Sequence, residues 1–588
     1  MCGIMGYIGG GDAAVKVYEG LKRLEYRGYD SAGGAFISDG GIEVVKKEGR
    51  VEKLLPFLKS VKSSVGIGHT RWATHGVPSD ANAHPHRAGK IALVHNGIIE
   101  NYAELKSALI TEGARFMSDT DSEVAAHLLA KNYRGDLVSA LAATVKLLKG
   151  SYALMAICES ENTIAVARYK SPLIIGYGNG ENFCASDEPA LSGLCDEITV
   201  LEDGDVASVT PLGVSIFNSD GERVERKILP NLAVCASLGL DGCEHYMLKE
   251  LRESPLTVEA TVKAFASVRD ELAKVLSGAD RIVLTGCGTA YHAALIGKRY
   301  IESFARLPVE CETAGEFRYK NPVIDGRTAV FAVSQSGETA DTVEAARLAV
   351  SYGAKVVAVT NSRYSQLTRL ADVSVPVAAG PEICVAATKS YSGQIVALYL
   401  CACVLSGDEE TERICALKKM TALCAVTLES LDIRPLAHIC ASSSGVYFMG
   451  RDLDYAVALE GSLKLKEVSY VAGEGYPSGE LKHGTLALID INTTSVFIIT
   501  DAELAGKSEN AVEQVLSRGG KVAVITNVQE VKERLSGKMP VISLPECDKY
   551  LSPLLSAVAV QLLAYRTAVI LKRDPDKPRN LAKSVTVE

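Results

Sequence analysis

The chain lacks several features on which common protein classes depend. No apolar run approaches the ~20 residues that a membrane-spanning helix needs, and the N-terminus lacks the basic and then apolar pattern of a secretory signal. No block rich in lysine and arginine occurs and the formal net charge is −9, so charge gives no reason to expect binding to nucleic acid or to an anionic membrane. No G-x-x-x-x-G-K-[ST] sequence is present, which leaves ATP binding without support. We therefore predict a cytoplasmic protein that holds any anionic ligand by local geometry.

Cysteine is plentiful but dilute. The 15 cysteines among 588 residues begin at Cys2 with no signal peptide before them, which favours cytosolic thiols over a disulfide framework. The closest pair, Cys401 and Cys403, lies in the apolar stretch IVALYLCACVL. Such a stretch indicates a buried helix or strand rather than a metal site, and we predict no bound metal.

Pattern and length divide the chain into several domains, because 588 residues exceed what one hydrophobic core usually supports. The N-terminal part consists of short β-type segments separated by glycine-containing turns, whereas β-type runs alternate with helical segments from about residue 280 onward. The alternation indicates parallel α/β units. The predicted boundaries are a β-rich domain at 2–232, a linker at 233–244, α/β domains at 245–430 and 431–571, and a C-terminal tail at 572–588.

The α/β part contains an internal repeat. Segment 328–361 matches segment 494–527 in its strand, helix and strand without a gap, with an offset of 166 residues. A second anchor, IVLTG before residue 287, corresponds to VYFMG before residue 451. The two copies are therefore predicted to be whole domains related by duplication.

Cys2 follows the initiator methionine directly. Removal of Met1 leaves a thiol and an α-amine on one residue, and an amine with a pKa near 8 is able to act as a general base for that thiol. A lone cysteine at this position is more often accidental. Its context favours a nucleophile, and consists of the strings CGIMGYIG, LKRLEYRGYDSAG, GHTRWATHG, HNGIIENY and SDTDSE.

These strings, in this order, resemble the class II glutamine amidotransferases. The resemblance implies that Arg71 binds the carboxylate of glutamine and that Asp121 binds its α-ammonium. It also implies an oxyanion hole made by the side-chain amide of Asn96 and the backbone N–H of Gly97. Trp72, the only tryptophan, would gate an ammonia channel by the same resemblance, although a packing anchor is the simpler interpretation of a single tryptophan.

A phosphate site is predicted where the strand AVFAV of the first copy runs into S-Q-S-G-E-T and a helix. Exposed N–H groups and the helix dipole favour an anion there, and small hydroxyl side chains add hydrogen bonds. A simple capping loop would use one or two polar residues, whereas this loop offers Ser334, Gln335, Ser336 and Thr339. The second copy has Asp501 and Glu503 at the aligned positions, so only the first copy is expected to bind phosphate.

The GCGT sequence at 286–289 resembles the opening of a dinucleotide fingerprint. Tyr291 stands where the third glycine belongs, which disfavours a nicotinamide site, and no cofactor is predicted. The same turn is able to bring Thr289 towards a phosphate.

The second copy carries ALEGSLKLKEVSYVAGEGYPSGELKHG at 458–484. On a helix, Glu460, Lys464 and Glu467 fall on one face. Charges alone would indicate a solvated helix, but the apolar neighbours and the nearby Lys482-His483 pair favour a site. In the C-terminal tail, Pro578 and the pattern LAKSVTV indicate a docked segment in which Lys583 is a candidate imine-forming amine.

Taken together, SQSGET, ALEGSLKLKE, ELKHG and the ending PRNLAKSVTVE resemble the glutamine:fructose-6-phosphate aminotransferases over nearly the whole chain. The resemblance implies an α/β multidomain protein, with an N-terminal α+β glutaminase sandwich of the Ntn-hydrolase type before two doubly wound parallel α/β sugar-isomerase (SIS) domains. It implies the conversion of fructose 6-phosphate and glutamine to glucosamine 6-phosphate and glutamate, the first step of the hexosamine pathway.

The same resemblance implies roles in the sugar site. Lys583 would condense with the C2 carbonyl, Glu467 would move the proton between C1 and C2, and His483 of a neighbouring subunit would assist ring opening, so a homodimer is expected. Glu460 and Lys464 would position the sugar and Val385 would contact it through its backbone. The phosphate would be bound by Thr289, Ser334, Gln335, Ser336 and Thr339.

The chain departs from the family pattern at Ala290 and Ala387, where serine is common, and at Thr485, where proline is usual. The two alanines remove two possible hydroxyl contacts to the sugar phosphate, and none of the three changes removes a proposed catalytic group. Three alternatives stay open: an amidotransferase with a phosphoribosyl or ATP-activated acceptor, a non-catalytic sugar-phosphate sensor, and a glutaminase alone. The first predicts a pyrophosphate or ATP loop that is not found, and the second leaves the N-terminal strings unexplained.

Overall fold

The computed structural model describes residues 2–231, 239–407 and 410–586. The chain divides into two compact units, one formed by Met1–Leu238 with Ala582–Glu588 and the other by Gly239–Leu581. Residues 233–238 of the predicted linker lie outside the described residues. The predicted domain boundaries stay predictions.

The first unit contains two antiparallel sheets. Their strand orders are β15-β11-β9-β10-β1-β4-β2-β3 and β14-β13-β12-β8-β7-β6-β5. The strands are β1 Gly3–Gly9, β2 Ser31–Ser38, β3 Gly41–Glu48, β4 Val65–Arg71, β5 His86–Ala88, β6 Ile91–Ile99, β7 Gly150–Cys158, β8 Ile164–Tyr169, β9 Ile174–Tyr177, β10 Glu181–Ala185, β11 Glu197–Val200, β12 Val206–Thr210, β13 Gly213–Phe217, β14 Arg223–Val224 and β15 Ile228–Pro230. The helices are α1 Ala13–Leu24, α2 Leu55–Leu58, α3 Tyr102–Thr111, α4 Ser122–Asn132 and α5 Leu137–Val145, with 3-10 turns at Glu25–Arg27, Val51–Leu54 and Glu188–Leu191.

The two sheets pack face to face, and helices cover their outer surfaces. Ile4 and Ile67 of the larger sheet share a buried cluster with Val94 and Met155 of the smaller one. The sheets approach so closely that a Cβ on Gly6 would lie 2.4 Å from the Met155 sulfur, which explains a glycine in the middle of β1. Helix α1 packs on the larger sheet and α4 and α5 on the smaller one. This is the predicted α+β sandwich.

The second unit contains two five-stranded parallel sheets with orders β17-β16-β18-β19-β20 and β22-β21-β23-β24-β25. Both follow the doubly wound order 2-1-3-4-5, counted from the first strand of each sheet, in which ligands bind beyond the carboxyl ends of the strands. The elements are α6 Tyr246–Phe265, α7 Arg269–Leu276, β16 Arg281–Gly286, α8 Thr289–Phe304, β17 Val309–Thr313, α9 Ala314–Tyr319, β18 Thr328–Ser334, α10 Ala340–Ser351, β19 Lys355–Thr360, α11 Gln366–Leu370, β20 Val373–Pro376, α12 Lys389–Ser406, α13 Glu410–Ser430, α14 Arg434–Ala441, β21 Gly445–Gly450, α15 Leu453–Ser469, β22 Gly473–Pro477, 3-10 turns at Glu480–His483 and Thr485–Leu488, β23 Thr493–Ile499, α16 Ala505–Leu516, β24 Lys521–Thr526, α17 Gln529–Leu535, β25 Val541–Ser543 and α18 Ser552–Ile570.

The two copies agree in local geometry as well as in strand order. The residue before α8, Gly288, has φ 55° and ψ −125°, and its counterpart before α15, Asp452, has φ 52° and ψ −121°. A non-glycine residue at such a positive φ is uncommon, so the second copy keeps an unfavourable backbone turn inherited with the fold. The multidomain α/β architecture predicted from the sequence is confirmed.

Two apolar helices form the centre of the second unit. Helix α12 contains the IVALYLCACVL stretch and is buried along most of its length, which explains its apolar cysteines. Helix α18 is long and apolar enough to cross a membrane by length and composition, but 83% of its apolar window is buried inside the protein. Burial of that kind is typical of a core helix.

Candidate active sites

Cys2 lies at the entrance of β1, against the end of β4. The backbone N–H of Trp72 donates to the Cys2 Sγ at 3.2 Å, and the thiol lies 3.5 Å from the Trp72 carbonyl oxygen. The next residue, Gly3, is held by a hydroxyl group, because its backbone N–H donates to Thr70 Oγ1 at 3.1 Å. Burial raises the pKa of the Cys2 thiol, and the Trp72 N–H and the charge of Arg71 oppose that rise. On balance the pKa of the thiol stays above its ordinary value, and these two partners limit the rise.

The two predicted oxyanion donors, Asn96 and Gly97, lie on strand β6. The Asn96 side-chain amide donates to the Cys2 carbonyl oxygen at 2.9 Å. Gly97 has φ 138°, and a Cβ there would lie 2.0 Å from the Ser151 carbonyl oxygen, so only glycine fits. The structure thus brings Asn96, the predicted side-chain donor, next to Cys2, and Gly97 follows it along β6.

Arg71 is buried at the end of β4. Its guanidinium donates to the carbonyl oxygens of the following loop, at 2.9 Å for Gly76 and 3.4 Å for Val77, and also to that of His75. Burial lowers the pKa of Arg71, while the charges of Cys2, Asp30 and Asp121 oppose the decrease.

Asp121 is buried at the start of α4. Its carboxylate accepts hydrogen bonds from the Ile99 backbone N–H at 2.8 Å and from the Ser122 hydroxyl at 3.2 Å. The charges of Asp121 and Arg71 both act on the Cys2 thiol, so an anionic and a cationic group lie within electrostatic reach of Cys2. This pattern suits an amino acid with both an α-ammonium and an α-carboxylate.

Sequence reasoning missed a group of four buried histidines behind this site, which we call the histidine cluster: His69, His84, His86 and His95. The His69 and His84 rings stack at 4.0 Å, and the His84 Nδ1 accepts the His95 backbone N–H at 3.2 Å. Burial lowers the pKa of all four, so they stay neutral inside the fold. Among the described residues, no group of His, Cys, Asp and Glu side chains is arranged to hold a metal ion.

The predicted phosphate loop follows β18 in the second unit. The Ser334 and Thr339 hydroxyls lie 3.0 Å apart, and Ser334 Oγ accepts the Gly337 N–H at 3.0 Å. The Ser336 hydroxyl accepts the Glu338 N–H at 3.1 Å, while the Gln335 carbonyl accepts the Asn361 N–H at 3.1 Å. The loop is therefore folded by its own bonds at the N-terminus of α10, where an anion is favoured.

The equivalent place in the second copy is filled by carboxylates of the chain itself. Asp454 accepts the backbone N–H of Thr500 at 2.9 Å, and Thr500 aligns with Ser334. Asp501 and Glu503 lie near Lys549, at 3.7 and 3.1 Å from its Nζ. Burial raises the pKa of Asp454 to about 6. These acidic groups agree with the expectation that only the first copy offers a phosphate site.

The predicted acid–base face of α15 is buried and held together by ion pairs. Lys464 Nζ lies 2.6 Å from Glu467 and 3.7 Å from Glu460. The other contacts of Glu460 come from α8, with Thr289 Oγ1 at 3.2 Å and His292 Nδ1 at 2.8 Å. Burial lowers the pKa of Lys464, but the two glutamates outweigh burial and raise it above its usual value. Lys464 is therefore an ammonium at neutral pH, not a base.

The segment before the C-terminal tail is anchored in the second unit. Asp576 accepts the backbone N–H groups of Tyr246 and Met247, at 2.8 and 2.7 Å, and so caps α6. The backbone carbonyl of Asp576 accepts the Val385 N–H at 3.0 Å. The Val385 N–H is therefore already bonded, and the Val385 carbonyl is the backbone group left for a ligand.

Two further predicted residues, His483 and Lys583, lie outside α15 and the phosphate loop. His483 is exposed at the end of its 3-10 turn and makes no hydrogen bond or ion pair with the described residues. Lys583 is partly buried and groups with the first unit. The sequence did not point to His292, Tyr470 or Asp576, although His292 follows the predicted phosphate ligand Thr289 by one helical turn.

Comparisons with known proteins cover both units. A family described as "Glutamine amidotransferase domain" matches residues 69–193, and one described as "SIS domain" matches residues 275–403 and 440–571. Proteins named glutamine--fructose-6-phosphate aminotransferase [isomerizing] from Aquifex aeolicus and Thermus thermophilus are each 45% identical to this chain, over 100% of both chains.

Solved structures resemble the second unit. The C-terminal domain of glucosamine-fructose-6-phosphate aminotransferase from Francisella tularensis is 34% identical, with a TM-score of 0.55, and covers 58% of this chain and 100% of its own. A putative phosphosugar isomerase from Silicibacter pomeroyi, at 22% identity and a TM-score of 0.51, covers 56% of this chain and 100% of its own and shows the shared fold.

Proposed function

The chain belongs to the glutamine–fructose-6-phosphate aminotransferase (isomerizing) family and converts fructose 6-phosphate and glutamine to glucosamine 6-phosphate and glutamate, and on that premise we propose which residues carry each step. The domains predicted at 2–232, 245–430 and 431–571 would carry the glutaminase, the phosphate site and the acid–base site. The observation that carries the assignment is that one chain contains both a shielded Cys2 beside Asn96, in its first unit, and the cluster of Glu460, Lys464 and Glu467, in its second.

In the glutaminase half, the Cys2 thiolate attacks the side-chain amide carbon of glutamine. Its own α-amine, exposed by removal of Met1, takes the thiol proton and passes it to the leaving ammonia. Asn96 and Gly97 stabilise the oxyanion, for which one donor is typically worth about 3 kcal/mol. Water then hydrolyses the thioester to glutamate and restores the thiol.

Recognition of glutamine rests on two opposite charges. Asp121 binds the α-ammonium and Arg71 the α-carboxylate, with the guanidinium held in place by the carbonyls of residues 75–77. Trp72 contributes through its backbone N–H to the sulfur, beyond the gating role that the resemblance suggests.

In the isomerase half, the phosphate of fructose 6-phosphate binds at the N-terminus of α10. The Lys583 amine condenses with the C2 carbonyl and releases water, and ammonia then displaces the lysine from C2. Glu467 removes a proton from C1 and delivers it to C2, which converts the ketose imine into the aldose amine. Lys464 lies 2.6 Å from Glu467 and holds its carboxylate in place through an ion pair. The phosphate ligands are Thr289, Ser334, Gln335, Ser336 and Thr339, and Val385 contacts the sugar through its backbone.

The test follows the amide nitrogen. Full-length protein is incubated with fructose 6-phosphate and amide-¹⁵N glutamine, and mass spectrometry measures the products and the N-terminus. Met1-free protein should release glutamate and labelled glucosamine 6-phosphate. Cys2→Ala should abolish both products, Lys583→Arg only the amino sugar, and Cys195→Ala neither. Glutamate release that survives Cys2→Ala would disprove the assigned nucleophile.

A homodimer in the cytoplasm is the proposed assembly, with His483 acting in the neighbouring subunit's site. The support is its exposure and its lack of a partner among the described residues. Coexpression of Glu467→Gln with His483→Ala tests this, since a mixed two-fold dimer keeps one intact site and should restore about a quarter of the wild-type rate. Absence of restored activity would show that His483 acts within its own chain.

A further inference from the structure

Glu460 is a fully buried carboxylate whose two oxygens are held by residues of the first copy. Thr289 Oγ1 donates to one oxygen at 3.2 Å, and His292 Nδ1 lies 2.8 Å from the other. Both residues come from α8, three positions apart, and therefore lie on the same helix face. His292 is itself buried, with 9% of its surface exposed.

The duplication shows that this contact is specialised rather than inherited. With Gly286 aligned to Gly450, His292 corresponds to Ala456 and Glu460 to Ile296. The corresponding pair with the two copies exchanged, Ala456 and Ile296, therefore has neither the histidine nor the acid. One copy supplies the acidic helix and the other supplies the side chains that hold it.

The ionisation of Glu460 depends in part on the His292 contact. Burial raises the pKa of Glu460, but the charge of Lys464 and the His292 hydrogen bond outweigh it and bring the pKa below its usual value. Lys464 Nζ lies 2.6 Å from the Glu467 carboxylate and 3.7 Å from that of Glu460, so its closer ion pair is with Glu467. Loss of the His292 donor would leave a buried Glu460 oxygen unpaired, which favours either its protonation or a shift of Lys464 away from Glu467.

We propose that His292 is a positioning residue for the isomerase reaction, because its Nδ1–H holds the Glu460 carboxylate so that Lys464 stays paired with Glu467, the base that moves the C1 proton to C2. The proposal rests on the proton-transfer role assigned to Glu467. His292 takes no proton from the sugar. It acts by fixing the geometry of the groups that do.

The experiment compares three replacements in the full-length protein. His292→Leu removes the donor, His292→Asn places an amide nitrogen near the former Nδ1, and His292→Gln places one nearer the former Nε2. His438→Leu, on the exposed surface of α14, is the control for loss of a histidine. Glucosamine 6-phosphate and glutamate are measured in the same samples, with fructose 6-phosphate carrying either hydrogen or deuterium at C1.

For His292→Leu, kcat for the amino sugar should fall about ten- to hundredfold, as expected for loss of a hydrogen bond to a charged group. KM for fructose 6-phosphate should change little, and the deuterium isotope effect on kcat should rise because proton transfer becomes slower. His292→Asn should recover most of the rate and His292→Gln should not. Wild-type kcat in His292→Leu, a loss confined to KM, or equal rates for Asn and Gln would overturn the proposal.

Two further measurements separate failure of this proposal from misfolding of the variant and from a wrong assignment of Glu467. If His292→Leu fails to fold, shown by loss of its cooperative thermal transition, the comparison of Asn with Gln still decides the role of Nδ1. If Glu467→Gln retains the wild-type rate and isotope effect, the assignment of Glu467 as the base is wrong. A His292→Leu defect in kcat would then place His292 with a different base.

Discussion

At the scale of single residues, the glutaminase site is built from backbone groups as much as from side chains. The Cys2 sulfur is contacted by the Trp72 N–H and lies near the Trp72 carbonyl, and Cys2 is also held through its own carbonyl by Asn96. A thiol whose partners are fixed in this way loses little freedom when it reacts. The arrangement explains why a one-residue distance from the N-terminus is sufficient to place the nucleophile.

Asn96→Ala tests the oxyanion donor. Removal of one such donor typically lowers kcat about 10²- to 10³-fold, and glutamate release should fall by that amount with little change in KM for glutamine. Steady-state kinetics of glutamate formation measures it. Asn218→Ala, in a turn of the same unit that is bonded to Glu222, serves as the control and should be neutral. A decrease in Asn96→Ala smaller than tenfold would contradict the role.

At the scale of elements, the same strand–loop–helix unit serves two purposes in the two copies. In the first copy the loop after β18 carries hydroxyls bonded to its own N–H groups. In the second, Asp454 is bonded to the Thr500 N–H that follows β23. An internal carboxylate there competes with any external anion, so we expect phosphate binding in the first copy alone.

Replacement of aligned residues tests that asymmetry. Gln335→Ala should raise KM for fructose 6-phosphate about tenfold, as expected for loss of a hydrogen bond to a charged ligand. Asp501 stands at the position aligned with Gln335, and Asp501→Ala should leave KM unchanged because that loop binds no substrate. Kinetics at varied fructose 6-phosphate concentration separates the two, and equal effects would show that both loops bind the sugar.

A second element, the segment after α18, is held at Tyr470. The Tyr470 hydroxyl accepts the Arg579 backbone N–H at 2.8 Å. The guanidinium carbons of Arg573 and Arg579 lie 5.3 and 4.5 Å from the centroid of the Tyr470 ring. Arg579 is four residues before Lys583. In the proposed reaction, fixing the segment there reduces the conformational freedom that the Lys583 amine loses.

Tyr470→Phe keeps the ring and removes the acceptor. Amino-sugar formation should fall about three- to tenfold, the range expected for one neutral hydrogen bond, while glutamate release stays unchanged. Borohydride trapping of fructose 6-phosphate on the protein should slow in parallel, as measured by intact mass. Tyr447→Phe removes a hydroxyl elsewhere in the same unit and should have no effect. Normal trapping by Tyr470→Phe would refute the anchoring role.

At the scale of the whole molecule, the two units have different sources of acid sensitivity. The first unit buries the neutral histidine cluster, whereas the second buries ionised groups such as Glu460 and Lys464. Each cluster histidine has a folded pKa below its ordinary value of about 6.5. Above pH 6.5 neither the folded nor the unfolded histidines bind protons, so these histidines do not lower the free energy of unfolding there. Below it, the unfolded chain binds protons that the fold excludes.

The first unit should therefore lose stability as the pH falls below 6.5, by up to about 1.4 kcal/mol per pH unit for each histidine. Trp72, the only tryptophan, lies in this unit, so its fluorescence reports thermal unfolding there. Melting temperatures measured between pH 7.5 and 5.0 should be flat above pH 6.5 and decline below it. His86→Gln should reduce the slope by one histidine's share. An unchanged melting temperature at pH 5.0 would contradict the expected protonation.

How much was readable from the sequence depends on how local each feature is. Periodicity and a 166-residue offset predicted the duplicated α/β domains, because strand and helix patterns are local and the repeat preserves them. The α+β sandwich was predicted as a class, but not its strand order, since pairings such as β1 with β10 join residues about 180 positions apart. The clustering of Arg71, Asn96 and Asp121 around Cys2 came from the resemblance to a known family.

The sequence by itself determined the two-copy architecture and the residue types available for the chemistry, and it predicts a phosphate loop in one copy alone, because each is a property of short segments. Only the tertiary structure decided which groups meet. His292 looked like an ordinary helix residue until α8 packed against α15 and brought its Nδ1 to Glu460, and the cluster histidines come from three strands and the loop before one of them. Contacts of that kind depend on the packing of elements far apart in the chain, and their charges depend on the burial that packing creates.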